Sequence, residues 1–119
     1  MRDIKFRAWH RETKEYCKGT TWNMFLWIDD GQPITLEQFT GLKDKSGVEI
    51  YEGDVVKAYH LEWEEYTFSS VTFKDGAFTL GRYWKDGIHD WYSMEQYESY
   101  ELEVMGNIHQ NPELIKQEL

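Results

Sequence analysis

Apolar and polar residues alternate with a period of two over much of this chain, the pattern of strands that bury one face. Ile4, Phe6 and Ala8 alternate with Lys5 and Arg7, which predicts a first strand. The polar run Arg11–Lys14 predicts a turn, and Tyr16-Cys17 begins a return strand. The first basic segment therefore reads as a hairpin with its cations on the outward face. Thr21-Trp-Asn-Met-Phe-Leu-Trp-Ile28 is a nearly continuous apolar run, which periodicity alone fits to a strand or to a short helix. The flanking Gly19 and Asp29-Asp-Gly31, with the Trp and Thr content, favour a strand. Gln32-Pro33 marks a loop before Leu36–Phe39.

The stretch Gln38–Val56 is the one around which the rest is organised. Asp44-Lys-Ser-Gly47 has Asp first and Gly last, as a type I turn prefers. Gly47 supplies the positive φ of a bulged hairpin loop. Val48 and Ile50 then point one way, Glu49 and Tyr51 the other. Gly53-Asp54 breaks the alternation, and Val55–Tyr59 resumes it as a β-branched strand. Asp44 and Asp54 are expected to bond turn backbone through their side chains, in preference to ligating a metal or acting as acids. With Gly41, Gly47 and Gly53 they form a structural motif.

The strand after Val56 is expected to run to about Trp63, with Glu62–Glu65 as a solvated loop. Three carboxylates beside a Trp suggest a glycosidase pair, but such pairs face each other across a substrate, which loop neighbours seldom do. Lys74-Asp-Gly76 and Lys85-Asp-Gly87 are hairpin signals between apolar runs and predict a meander of short antiparallel strands. Ser93–Tyr100 fits a helical turn or a loop equally well. Glu101–Met105 alternates, with Leu102 and Val104 on one side. Asn111-Pro112-Glu113 has the cap, first-turn proline and acidic residue of a helix start, which predicts a terminal helix over 111–119 docked through Leu114, Ile115 and Leu119.

The run Gln38–Val56 resembles the signature of the YopX family, small proteins of bacterial phages and prophages. Met1–Trp9 and Glu103–Leu114 are similar to the family's start and end, and residues 57–100 fit more loosely. The resemblance implies an SH3-type β-barrel and a phage or prophage origin. It implies no enzyme activity and offers no catalytic or binding residue to carry over. The expected fold is thus mainly β and a single domain: an N-terminal β extension over 1–37, a small SH3-type barrel over 38–110, and a short C-terminal helix over 111–119.

Composition adds bulk and charge to this picture. Six Trp, eight Tyr and six Phe in 119 residues supply a core. No apolar run is long enough to span a bilayer and the N-terminus is charged, so the expected location is the bacterial cytoplasm, with no membrane partner. The lone Cys17 excludes an internal disulfide and is expected to be a small, buried or half-buried side chain. Residues 1–19 carry six Lys/Arg against three Asp/Glu, and the rest seven against 19, so +3 and −12 make up the net −9. An acidic surface opposes general nucleic-acid affinity. His10, His60, His89 and His109 share no metal-type spacing, no cofactor motif occurs, and no nucleophile pattern appears.

These features point to a noncatalytic protein-binding or assembly module, a homo-oligomer with a host or phage protein as a further partner. Tyr83, Trp84, Trp91 and Tyr92 around the second Lys-Asp-Gly turn are its candidate partner-binding residues, since alternation cannot bury all four on one face. An acidic inhibitor that imitates nucleic acid is the alternative. A single-stranded nucleic-acid-binding barrel using Arg2, Lys5, Arg7, Arg11, Lys14 and Lys18 ranks third.

Overall fold

One strand, β3 (Ile34–Lys43), belongs to both halves of the molecule. The computed structural model describes residues 3–62, 64–84, 87–93 and 100–115, with the backbone alone over 82–84 and 87–93. Before β3 come β1 (Phe6–His10), β2 (Glu15–Cys17) and the helix α1 (Thr21–Asp29). After it come β4 (Glu49–Tyr51), β5 (Asp54–His60), β6 (Glu65–Lys74), β7 (Ala77–Trp84), β8 (Gly87–Ser93) and β9 (Tyr100–Asn107). A 3-10 turn, Pro112–Ile115, follows. The strands form two antiparallel sheets, in the orders β2-β1-β3-β4 and β8-β7-β6-β5-β9. The fold is mainly β, as the alternation predicts.

β3 pairs with β1 through Ile34–Gln38, then turns to β4 at Phe39 and Lys43 with a register shift between. The 37/38 border of the expected extension therefore falls inside a continuous strand. Two apolar clusters flank it. Ala8, Met24 and Ile34, with Phe6, Cys17, Trp27 and Leu36 against them, fill the space under α1. Ile50, Val56, Ala58, Val71, Leu80 and Leu102 fill the second sheet's concave side, joined by Leu42 from the far end of β3.

The meander is built from longer strands than the turn spacing suggests. Asp75 and Gly76 have φ of 53° and 81°, the two positive values that a type I′ hairpin demands. β7 then runs up to the second turn signal, with a register shift against β8 between Arg82 and Tyr83, and Trp84 pairs with Gly87 in β8. Trp63, Lys85, Asp86 and residues 94–99 lie outside the described residues, and with them the helical turn or loop expected between Ser93, which ends β8, and Tyr100, which opens β9.

Two elements differ from expectation. Thr21–Asp29 is a helix, because a local device outweighs the β-prone composition: the Thr20 hydroxyl accepts from Asn23 N (3.2 Å) and the Asn23 side chain accepts from Thr20 N (3.0 Å). Asp30 N and Gly31 N then close its last turn on Leu26 O and Ile28 O, each at 2.9 Å. At the other end of the chain, a single 3-10 turn stands where the terminal helix was expected to begin. The Asn111 side chain accepts from Asn107 N (3.3 Å) behind it, so it faces away from the helix it would have capped. Residues 116–119 lie outside the described residues. A smaller shift concerns Glu65, which opens β6 opposite His60 instead of sitting in the loop.

Candidate functional site

The Gln38–Val56 motif is where the two sheets are tied together. Asp44 Oδ1 accepts from Ser46 N (2.8 Å) and Val48 N (2.9 Å), while its carbonyl accepts from Gly47 N (3.0 Å). Gly47 takes φ +85°, as a bulged loop requires. The other carboxylate oxygen reaches across the molecule and accepts from Val104 N (2.9 Å), next to a Lys45 N to Leu102 O bond of 3.0 Å. The turn thereby covers the open edge of β9. Burial works to raise the Asp44 carboxyl's pKa, but the three backbone N–H donors prevail and lower it.

Asp54 sits at the opposite end of the same hairpin. Its Oδ2 accepts from Tyr51 N (2.8 Å) and its Oδ1 pairs with Arg7 Nη2 at 2.8 Å. Burial raises its pKa, and the pull of Arg7 and Tyr51 N does not fully offset that. Gly53, beside it, donates to Val71 O (2.9 Å) and accepts from Ile108 N (2.8 Å), so it joins β6 to the segment after β9. Gly41 lies on β3 between the two registers.

Arg7 is not on an outward face. Its guanidinium turns inward, with Nε 2.7 Å from Glu37 Oε1 and Nη2 3.1 Å from Glu52 O, and lies over the rings of Tyr16 and Tyr51 at 4.6 and 4.9 Å. The reason is electrostatic. Glu37 and Asp54 are buried, and buried carboxylates need a fixed cation and donors around them. Burial opposes the charge on Arg7, and Asp54 and Glu37 more than offset it, so its pKa is raised.

Glu37 completes the cluster. Oε1 also accepts from Tyr16 OH (2.8 Å), and Oε2 faces His109 Nε2 at 2.8 Å. Burial first, then the Glu37 charge and hydrogen bond, hold the Tyr16 phenol's pKa well above its usual value despite Arg7. The His109 ring stacks on Trp9, 4.3 Å between centroids and 8° from parallel. His109–Glu37 has the form of an acid–base dyad; Arg7 Nε and Tyr16 OH hold Glu37 Oε1, and His109 itself is the partner of Oε2. What the arrangement does is hold β1, β2, β3, the β4–β5 junction and the 107–111 segment in one place.

Sequence reasoning did not assemble Arg7, Tyr16, Glu37 and His109. A signal existed only once pairing is known: Arg7 lies directly opposite Glu37 in the β1–β3 register. His109, 72 residues from Glu37, gives no local sign. Cys17 is half-buried.

The expected partner-binding aromatics lie on adjacent strands, Tyr83 and Trp84 on β7, Trp91 and Tyr92 on β8. The register sets Trp91 opposite Gly81 and Tyr92 opposite Leu80, so none of the four pairs directly with another. Their side chains lie outside the described structure. An exposed apolar face is described elsewhere, on α1: Trp22, Phe25, Leu26 and Ile28 are 70%, 49%, 44% and 41% exposed. Trp22, Phe25 and Leu26 have the i, i+3, i+4 spacing of one helix face. Reading this run as a strand hides that face.

A model of the YopX protein family matches residues 20–116. The chain belongs to the YopX family. Over 98% of its length this YopX-family chain is similar to the whole of protein EF1440 from Enterococcus faecalis, at 27% identity and a TM-score of 0.61. Protein yopX from Bacillus subtilis is likewise covered in full, by 98% of this chain, at 22% identity and a TM-score of 0.59; that likeness shows the fold alone. No curated protein matches the chain significantly. Among the described residues, no helix is long and apolar enough to cross a membrane, and no group of three or more His, Cys, Asp or Glu is placed to hold a metal ion.

Proposed function

We propose that this YopX-family protein is a noncatalytic protein-binding and assembly module, a homo-oligomer that serves a phage or prophage in the cytoplasm of its bacterial host. One observation carries the reading: a capped helix on the protein's outside presents Trp22, Phe25, Leu26 and Ile28 to solvent. Exposed apolar side chains of this kind on one helix, with a Trp at its head, are what contact surfaces are made of. The noncatalytic part is supported by the buried cluster, where the oxygens of Glu37 and Asp54 are all engaged by Arg7, Tyr16, His109 and Tyr51 N. The curled second sheet, sealed by the Asp44 turn, supports an SH3-type barrel as the architecture.

The nucleic-acid readings draw less support. Glu37, Asp44, Glu52 and Asp54 accept hydrogen bonds inside the fold, which removes them from any outward row of phosphate-like charges. Lys5 and Arg7 are paired with Glu49 and Glu37, which takes two cations from the basic hairpin. Solution mass by light scattering over a hundredfold dilution tests the proposal. A multiple of the monomer's 14.3 kDa is expected at the concentrated end. A strict monomer throughout would overturn the assembly reading.

A further inference from the structure

We infer that the occupant of the α1 face is α1 of a second copy of this chain, docked antiparallel across a twofold axis near Phe25 and Leu26. The inference rests on the assembly reading and gives it a surface and a geometry. Three observations carry it.

The first is the face itself. Met24 and Trp27 turn inward onto the β1–β3 sheet, and the Phe6 ring meets Phe25 at 5.9 Å, so the helix is fixed on its inner side. Its outer side carries Trp22 and Leu26, with the half-exposed Phe25 and Ile28 along one flank between that side and the sheet. A specific interface needs about 1,000 Å² in total, so the contact takes in the polar rim around these side chains in both copies. An isologous contact also needs a surface complementary to itself, and an apolar stripe is that.

The second is the helix's charge. α1 has no acidic residue in its first turn and no basic residue in its last. Asp29 and Asp30 stand at its C-terminal end and Lys18 lies just before its start, all exposed. In one copy alone, each sign is at the wrong end of the helix dipole. The antiparallel arrangement sets Asp29 and Asp30 of each copy beside Lys18 and the positive helix end of the other.

The third is the contrast with the other possible pairing. A parallel pair would bring Lys18 against Lys18 and the two aspartates against the two aspartates, so like charges would meet at both ends. Only the antiparallel pair relieves the helix's own mismatch. A foreign basic partner would satisfy the aspartates but leave Lys18 facing it unpaired.

Sedimentation equilibrium on four forms of the full chain tests the inference, with circular dichroism to establish folding. The unaltered chain should be a dimer. Trp22→Glu should be a folded monomer, since position 22 is exposed and an acid in the first helical turn suits the dipole. Lys18→Asp should weaken the dimer about five- to tenfold, as a rim attraction becomes a repulsion. Adding Asp29→Lys and Asp30→Lys to Lys18→Asp should restore it. A dimer that persists in Trp22→Glu would overturn the α1 interface while leaving the assembly reading intact. A triple variant no stronger than Lys18→Asp alone would overturn the antiparallel geometry. A monomeric unaltered chain would overturn both.

Discussion

A Cβ placed on Gly53 would stand 2.9 Å from the carboxyl carbon of Glu37 and closer still to one of its oxygens. An exposed glutamate would swing aside, but this one is held by Arg7, Tyr16 and His109. Gly53 also has φ +83°, a conformation that side chains resist. Gly47 separates these two effects, because it has φ +85° with open space around it. Gly47→Ala is expected to lose only the backbone term, about 1–2 kcal/mol. Gly53→Ala should lose that and the clash, roughly twice as much or more. Urea midpoints of the two variants check this. Equal losses would mean that Glu37 yields freely and is not pinned.

At the scale of elements, four loops start with one device. His10, Asp44, His60 and Asn107 each accept, through a side-chain atom, the N–H two residues on: Glu12, Ser46, Glu62 and His109. In the loops after β1 and β5, the carbonyl also accepts from the fourth residue on, Lys14 or Glu64, which takes a positive φ. Both loops have the sequence His-x-Glu-x-x-Glu, starting at His10 and His60. The Asp44 turn was legible in the sequence because Asp and Gly are standard turn residues, and so was the Asp75-Gly76 hairpin. The histidine turns were not, since His is no usual turn opener. The helix α1 was lost for another reason: an eight-residue apolar run has no readable period, and its cap uses Asn23 where Glu or Gln is the familiar signal.

The Asp44 turn makes a pH prediction. Its folded pKa is lowered, so the unfolded chain takes up the proton first on acidification. The stability it contributes is present above the unfolded value, near 3.8, and is lost as pH falls through the lower folded value. Asp44→Asn keeps one acceptor but lacks the charge. The stability gap between the unaltered chain and Asp44→Asn should therefore be level near neutral pH and narrow below about pH 4. Thermal melts across that range would show it, and a gap unchanged down to about pH 2.5 would contradict the role given to Asp44.

At the scale of the whole molecule, two apolar clusters share one strand and are locked together by a charged clasp. Most strands, and the Asp44 and Asp75-Gly76 turns, follow from local pattern, and the sequence shows them. The clasp does not, because Arg7 and Glu37 meet only through the β1–β3 register, and Asp54 and His109 arrive from later strands. The central claim is that the Gly53-Asp54 step is architecture. Asp54 orients the start of β5 through Tyr51 N and anchors Arg7 between the sheets. Chemical denaturation of Asp54→Ala against the unaltered chain tests this most directly. The clasp predicts a loss of about 3 kcal/mol or more, because a buried cation and a backbone donor both lose a partner. An unchanged midpoint would contradict it and make Asp54 a residue kept for function.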